Sequence, residues 1–540
     1  MSKTQWKKAL LCAILLTGWA GSIGAASLSD AASLSDTEDV RAVDFSQEEQ
    51  AISATDKNQP MALTGNNGVL QPSYEESTER PKTKKSKRAN TDEKVDTSIS
   101  KENPMVIHAD KMRYNDTTGD VDAMGNVDIH HMMDSYQTQY VYGNTISQKY
   151  VVPGEVKWNN PTTRLKADRA EYDAAKAMGK FENLSGWEEN TYYFQGASGT
   201  YDRNNNLIVV QNGYFTTRHA VAKVPDYRIE AESIDIYPGD HYVAHHVKLM
   251  AKNTTLLTMS SYKGSLKKDN NINLWTLIPR PMFDSDNGFG LHNAVEVPLD
   301  DEMNLTAYAE NRWYTKSGYK PDIGVRYDTP VGRLNFHYAE EESSTNDDGG
   351  IWVKKRPSLE FDSNHFYLFG SRFYTGIRGE WGYWEEGSIK GSYKGYDAYV
   401  SSDPWKLGKF MRFNWNAGYA KDYYGATDNI RTVGYYGVGL SGQYRSVASW
   451  VSYTNRNISG FTPYQYARYS SDKPLAFGVR VQATPLDAFS LAWSIDTKDG
   501  TLDHRYWTYY RDLHSFYAWL RYDDIERETQ FMVMPKDFRF

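Results

Sequence analysis

Between residues 107 and 129 the chain reads as two short strands around a turn. Val121, Ala123, Gly125, Val127 and Ile129 take alternate positions, with Asp120, Asp122, Asn126 and Asp128 between them and Met124 the one exception. A period of two sends successive side chains to opposite faces and predicts a half-buried strand. Asn115-Asp116-Thr117-Thr118-Gly119 is a turn cluster, and Ile107 to Tyr114 is the partner strand, so the unit is a hairpin. It returns in degenerate form. Ala167-Asp168-Arg169-Ala170-Glu171-Tyr172 repeats Ala109-Asp110-Lys111-Met112-Arg113-Tyr114, and Gly196 to Asp202 and Ala231 to Tyr237 give two more copies. Spacings of roughly 30 residues, or twice that, predict one supersecondary unit stacked several times, because a lone hairpin cannot bury its apolar face. The stacked interior is either the core of a β-sandwich or, if open along one side, an apolar groove.

After about residue 280 the texture changes. Between 288 and 540 there are 26 Tyr and 10 Trp. Segments of about ten residues alternate between turn clusters, the pattern of strands that cross an outer membrane. Phe489, Leu491, Trp493 and Ile495 alternate with Ser490, Ala492, Ser494 and Asp496; Phe516, Ala518, Leu520 and Tyr522 form a second such face, and Leu305, Ala307 and Ala309 a third. The fold class predicted is all-β: a soluble domain of stacked hairpins over 103–262, a connection over 263–287, and an antiparallel barrel of about 14–16 strands over 288–540. A large soluble sandwich is the alternative. A barrel closes by pairing its first and last strands. Proline donates no ladder hydrogen bond, so Pro279, Pro281 and Pro298 near the first strand and Pro535 in the last predict a weakly paired seam. Pro279 and Pro281 also read as the end of the interdomain connection. The chain ends Asp537-Phe538-Arg539-Phe540, a terminal aromatic alternation similar to the insertion signal of outer-membrane barrels.

The low mean hydropathy of −0.69 fits such a barrel, whose strands are apolar on one side only. Lys3, Lys7 and Lys8, the apolar run Ala9 to Ala20 and the small residues Gly24-Ala25-Ala26 predict an export signal over 1–26. Its removal takes away Cys12, the single cysteine, so disulfides are not expected. Residues 27–102, with a duplicated Ala-Ser-Leu-Ser-Asp and a basic run from Arg80 to Arg88, hold too few apolar residues to fold and predict a disordered linker. The basic run is a solvated stretch or a contact for anionic headgroups or wall polymer. The net charge of −8 argues against a nucleic-acid partner.

Catalytic chemistry is not expected. His130-His131 and His245-His246 lie in strand-like segments, where neighbours face apart, so neither pair suits one metal ion. There is no Gly-x-Ser-x-Gly elbow and no phosphate-cradling glycine loop, and His292, His337, His365, His504 and His514 are scattered. No cofactor and no metal are predicted. Glu340-Glu341-Glu342 and Asp347-Asp348 read as an extracellular loop.

The hairpin repeat of 107–129 and its copies resembles the repeating element of the OstA family, the β-jellyroll of lipopolysaccharide transport proteins. The resemblance is specific over about 105–260 and architectural over 280–540, where this barrel is far shorter than the family's proteobacterial ones. It implies a periplasmic jellyroll whose groove carries acyl chains, with Ile107, Tyr114, Val121, Val127, Ile129, Tyr172, Phe181, Tyr201, Ile229, Ile234 and Ile236 as candidate lining. It further implies that the seam, with Pro279, Pro281, Pro298, Pro535, Phe538 and Phe540, is a lateral gate that releases lipid into the outer leaflet. The implied partners are lipopolysaccharide, a periplasmic OstA-like bridge protein, the barrel-assembly machinery and a plug lipoprotein. The family commonly carries a Phe-Thr-Thr-Cys-like segment where this chain has Phe215-Thr216-Thr217-Arg218, and its proteobacterial members brace the jellyroll to the barrel by disulfides; the resemblance implies that this chain braces them otherwise. The competing expectations are a porin-like channel and an envelope tether.

Overall fold

A computed structural model of the chain describes residues 105–131, 133–267, 273–346 and 349–538. The expected signal segment 1–26 with Cys12, the expected linker 27–102, Asp347-Asp348 and Phe540 lie outside these residues. The described chain forms two antiparallel β assemblies, a 14-stranded sheet over residues 106–265 and a closed barrel over 280–535.

In the sheet each strand pairs with the next along the chain. Val106–His108 with Lys111–Tyr114, Lys149–Val152 with Val156–Asn159, and Thr163–Ala167 with Arg169–Asp173 are the halves of three interrupted strands. Every long strand bends near its middle, and the bends line up into a crease. Asn126, Asn183, Asn212 and His246 sit on the crease with φ of 42–54°, the left-handed region that asparagine tolerates better than most residues. Asn126 donates to the Asp110 carboxylate (3.0 Å) and Asn183 to that of Asp168 (3.1 Å). His246 Nδ1 lies 2.9 Å from Glu232. Asp110 and Asp168 thus sit at breaks in their own strands and hold the bulged residue of a neighbouring one, and Glu232 does so from within the unbroken strand Tyr227–Tyr237. Bulges bend a sheet and raise its twist.

The crease shifts the inward phase. In Met178–Glu188 the buried positions are Gly179 and Phe181 before Asn183, and Leu184 and Gly186 after it. In Tyr227–Tyr237 they are Tyr227, Ile229 and Ala231, then Ile234 and Ile236. The folded sheet therefore encloses one apolar core that runs from Val121 through Trp158, Phe181 and Phe194 to Ile236 and Leu249.

The barrel has sixteen strands. Alternation sets its two faces. Ile323, Val325 and Tyr327 point outward and are exposed, as are Phe489, Leu520 and Tyr522, whereas Ser490, Thr508 and Arg521 point inward and are buried. An apolar exterior around a polar interior is the transmembrane-barrel arrangement. The first strand, Arg280–Asp284, begins inside the span assigned to the connection. It is only five residues long and starts at a proline pair, so pattern alone does not reveal it. Among the described residues no helix is long and apolar enough to cross a membrane, which has no bearing on a barrel.

Candidate functional site

The barrel closes through Arg280–Asp284 against Glu528–Pro535, and this ladder holds three pairs: Met282 with Met532, Phe283 with Phe531 and Asp284 with Gln530. On its other side the last strand makes eight pairs with Phe516–Asp523, down to Phe516 with Pro535. Toward the sheet domain both seam strands continue, each paired to its outer neighbour but not to the other. Continued in register, the ladder would set Pro281 against Val533 and Pro279 against Pro535, positions where a donor is missing. The remaining sequence-predicted seam residues lie elsewhere. Pro298 pairs with Thr306 in the ladder between the second and third strands, away from the closure, because the second strand meets the first only through its other end. Phe538 packs beneath the barrel against the sheet domain.

That junction joins the two assemblies. The apolar core of the sheet does not stop at its last strand but takes in Leu266, Leu274, Trp275, Ile278 and Phe538, with Phe516 packed against it. Tyr227 is at the centre, its ring 5.2 Å from Trp275, 5.6 Å from Phe538 and 5.9 Å from Phe516. Phe516 shares the alternate row of Leu520 and Tyr522 that faces outward. The interior of the sheet therefore meets the outer face of the barrel at the seam.

Polar groups clasp the same junction. The Asp537 carboxylate accepts from Thr217 Oγ1 (2.5 Å), the His219 backbone N–H (2.9 Å) and the Tyr227 hydroxyl (3.3 Å), and pairs with the His219 ring. Reciprocally, Asp226 of the sheet pairs with His514 (2.8 Å) and accepts from Ser515 on a barrel turn, while Lys252 flanks it. Burial alone would raise both carboxyls. For Asp537 the hydrogen bonds and charge of His219 with the Thr217 hydroxyl outweigh it; for Asp226 the hydrogen bonds of His514, Lys252 and Ser515 do. Both are held below the usual carboxylate range. The Phe215-Thr216-Thr217-Arg218-His219 segment thus braces the domains through Thr217 and His219. Sequence reading quoted these segments but had no means of pairing Asp537 or Asp226 with partners some 300 residues away.

Of the proposed lining, Val121, Val127, Ile129, Tyr172, Phe181, Tyr201, Ile229, Ile234 and Ile236 are buried in the sheet core and Ile107 packs at its edge. Tyr114 is a correction. It lies on Lys111–Tyr114, an edge strand exposed throughout, and is 58% exposed, with no further strand beside it among the described residues. Among the described residues Val106–His108 and Lys111–Tyr114 pair only with Asp120–His131, so the outer side of this edge is open.

The lumen is polar over most of its wall. A cavity of about 260 Å³ beside the junction is lined by Thr276, Glu296, Glu310, Asp322, Arg326 and Glu360, among others. Ligand atoms of Asp322, His337 and Glu341 lie within 4.8 Å of one another. Positive charge is already supplied there: Lys355 Nζ is 3.0 Å from Glu341 and 2.8 Å from Glu360, and both His337 nitrogens face carboxylates. One sector differs. Behind the seam the inward side carries Tyr510, Trp519, Met532 and Met534 around Ala488, an apolar patch. At the end remote from the sheet, the loop between Val447–Gly460 and Pro474–Gln482 folds inward. Its Gln465 and Tyr466 N–H groups donate to Glu386, the Tyr466 hydroxyl donates to Glu341 (2.7 Å), and Ser343 and Thr345 donate to its carbonyls. Tyr464 and Tyr466 are buried against Trp384.

No protein-family model matches the chain, and no curated protein matches it in sequence. Among solved structures it is similar to a loop-deletion variant of OmpT, an outer membrane protein of Vibrio cholerae, at 12% identity and a TM-score of 0.27, over 47% of this chain and 94% of that one. It is also similar to the outer membrane channel DcaP of Acinetobacter baumannii (13% identity, TM-score 0.24, 63% and 86%) and to an anion-selective porin from Comamonas acidovorans (9%, 0.28, 47% and 95%). Likeness at these values carries no functional meaning. The closed sixteen-stranded barrel with an apolar outer face stands on its own geometry as that of an outer-membrane protein.

Proposed function

We propose that this chain delivers lipopolysaccharide into the outer leaflet of the outer membrane, as a short-barrel relative of LptD, the lipopolysaccharide-assembly protein of the OstA family. The observation that carries this reading is the continuity of one apolar core from the sheet interior through Tyr227 to a seam whose ladder stops after three pairs. Acyl chains travel in the sheet interior, where transfer from water is favourable by about 0.8 kcal/mol per methylene. At the junction they pass to the outward row of Phe516 and Leu520 or to the patch of Trp519, Met532 and Met534, while the sugars face the carboxylate-lined lumen. The inward loop at Tyr464 and Tyr466 favours a sideways exit over a porin's straight channel. In this reading the sheet domain lies in the periplasm, and the edge at Val106–Tyr114 suits addition of a strand from a periplasmic OstA-like bridge protein.

Depletion of the protein in its host tests this reading. Lipopolysaccharide at the cell surface is expected to fall while the purified barrel gives no steady ion conductance in planar bilayers. Unchanged surface lipopolysaccharide together with open-channel conductance would overturn it in favour of a porin.

A further inference from the structure

Around much of the lumen wall guanidiniums face carboxylates: Arg312 with Glu310, Arg326 with Glu296, Arg378 with Asp362 and Arg431 with Asp422. Arg521, on the inward side next to the seam, does not. It is only 3% exposed, and among the described residues no carboxylate lies within ion-pair distance of it. The next inward carboxylate along its strand, Asp523, is held by His504 (2.6 Å). Asp284, beyond Gln530 in the same cross-strand row, accepts from Asn287. Arg521 instead stacks, its guanidinium carbon 4.9 Å from the centre of the Tyr506 ring and 5.0 Å from that of Trp519, and it donates to the Thr508 hydroxyl (3.4 Å). Ring stacking offsets only part of the cost of taking a cation out of water. The buried Trp519 indole N–H beside it has no acceptor among the described residues either.

Strand pairing sets what surrounds this charge. Arg480 pairs with Ser490, Ser490 with Thr508, and Thr508 with Arg521, a row of four buried inward residues. Arg480 lies over the Tyr510 ring (4.0 Å) and Arg521 over that of Tyr506, the residues two after and two before Thr508. The two guanidiniums therefore stand on either side of the Thr508 hydroxyl, which accepts from Arg521 and keeps its own proton to donate. Ser490 adds a second hydroxyl. Donors without an acceptor around a cation without a counter-charge make a seat for an anion, and guanidinium with hydroxyl groups matches phosphate oxygens. Tyr510 and Trp519 also belong to the apolar patch with Ala488, Met532 and Met534.

We propose that Arg521, Thr508 and the Trp519 indole N–H bind a phosphate group, with Arg480 at the far side of the row, and that the adjoining patch takes the apolar part of the molecule carrying it. A lipid headgroup and a free phosphate share this chemistry. The lipid source rests on the transport reading, whereas the donor set does not; the test contains no lipopolysaccharide and no transport step, so failure of the site and failure of that reading are distinct results.

The test is calorimetric titration of the purified protein, folded in nonionic detergent, with inorganic phosphate, with dioctanoyl phosphatidate and with dioctanoylglycerol, which has the same chains and no phosphate. Phosphatidate is expected to bind at least tenfold more tightly than dioctanoylglycerol. Arg521→Gln is expected to weaken phosphatidate about tenfold and Thr508→Val about threefold, while Arg521→Lys, which keeps the charge, recovers part of the loss. Arg378→Gln removes a guanidinium that also stacks on a tyrosine but faces Asp362, and is expected to leave the affinity unchanged. Folding of each variant is checked by its heat-modifiable band, and Thr508→Val carries the test if Arg521→Gln does not fold. Phosphatidate binding tighter than inorganic phosphate assigns the site to a lipid headgroup; equal affinity supports the site and overturns the lipid source. Phosphatidate binding no tighter than dioctanoylglycerol with no binding of inorganic phosphate, or an affinity that folded Arg521→Gln and Thr508→Val proteins leave unchanged, would overturn the inference.

Discussion

At the crease, a carboxylate and an amide settle the shape of the sheet domain. Asn183 sits at φ 49° and donates to Asp168. Alanine there would lose the hydrogen bond and hold a Cβ in a region where only glycine and asparagine are at ease, a change of about 1–3 kcal/mol. Asn183→Ala is expected to lower the urea midpoint of the sheet domain, read by tryptophan fluorescence on the purified protein, and Asn183→Gly to recover most of it; equal loss in both variants would assign the effect to the hydrogen bond alone. Residues supply the reason why the groove positions were only partly legible. The alternation of Val121 to Ile129 is visible in the sequence and its inward face is correct. Past the bend in Tyr227–Tyr237, however, the phase moves by one, so strict alternation carried from Ile229 would put Ile234 and Ile236 outside, whereas the structure buries both. The repeated acidic residue, Asp110, Asp168 and Glu232, was the available signal for the bend, and it marks the place without revealing the shift.

At the scale of elements, the clasp joins barrel and sheet through ionised carboxylates. Both Asp537 and Asp226 are held below their usual range in the folded protein. A group depressed in this way stabilises the folded state fully above the pKa of an unfolded aspartate, about 3.9, and loses that contribution as pH falls through its folded value. Spin labels at Val224→Cys and Leu513→Cys, on opposite sides of the junction, are expected to hold one distance from neutral pH down to about pH 5 and to separate on further acidification. Asp537→Ala should broaden the distance distribution already at neutral pH. A distribution that stays fixed below pH 3 would mean that packing around Trp275 and Tyr227 suffices. Sequence reading marked the weak seam through Pro281 and Pro535, because a missing donor is local chemistry. It misplaced Pro298, since which ladder a proline interrupts depends on strand pairing. His219 and Asp537, 318 residues apart, carry no mutual signal in a single sequence.

For the whole molecule, two apolar surfaces meet: the interior of the folded sheet and the exterior of the barrel. The exterior is tested by charge. Val325 faces outward amid Ile323 and Tyr327, and Val325→Arg is expected to destabilise the barrel in bilayers by about 2–4 kcal/mol if it lies near the midplane, read as a loss of heat-modifiable band on refolding; the same change at inward Ser490 should leave far more folded barrel. The all-β class, the change of texture near residue 280 and the strand number were legible because alternation and turn clusters repeat in every hairpin. The inward loop at Tyr464 and Tyr466 and the lysine-centred lumen network were not, since both depend on which strands closure brings opposite one another.

The lipid path itself is tested most directly by photocrosslinking in growing cells, with a photoreactive residue at Ile129 in the sheet interior, at Val533 on the unpaired side of the seam, and at outward Phe489 as a reference. Lipopolysaccharide adducts are expected at 129 and 533, with formation at 129 depending on continued lipid supply and a lower yield at 489. A protein assembled in the outer membrane that gives no adduct at 129 and no excess at 533 over 489 would contradict the account and leave a barrel whose sheet domain serves structure alone.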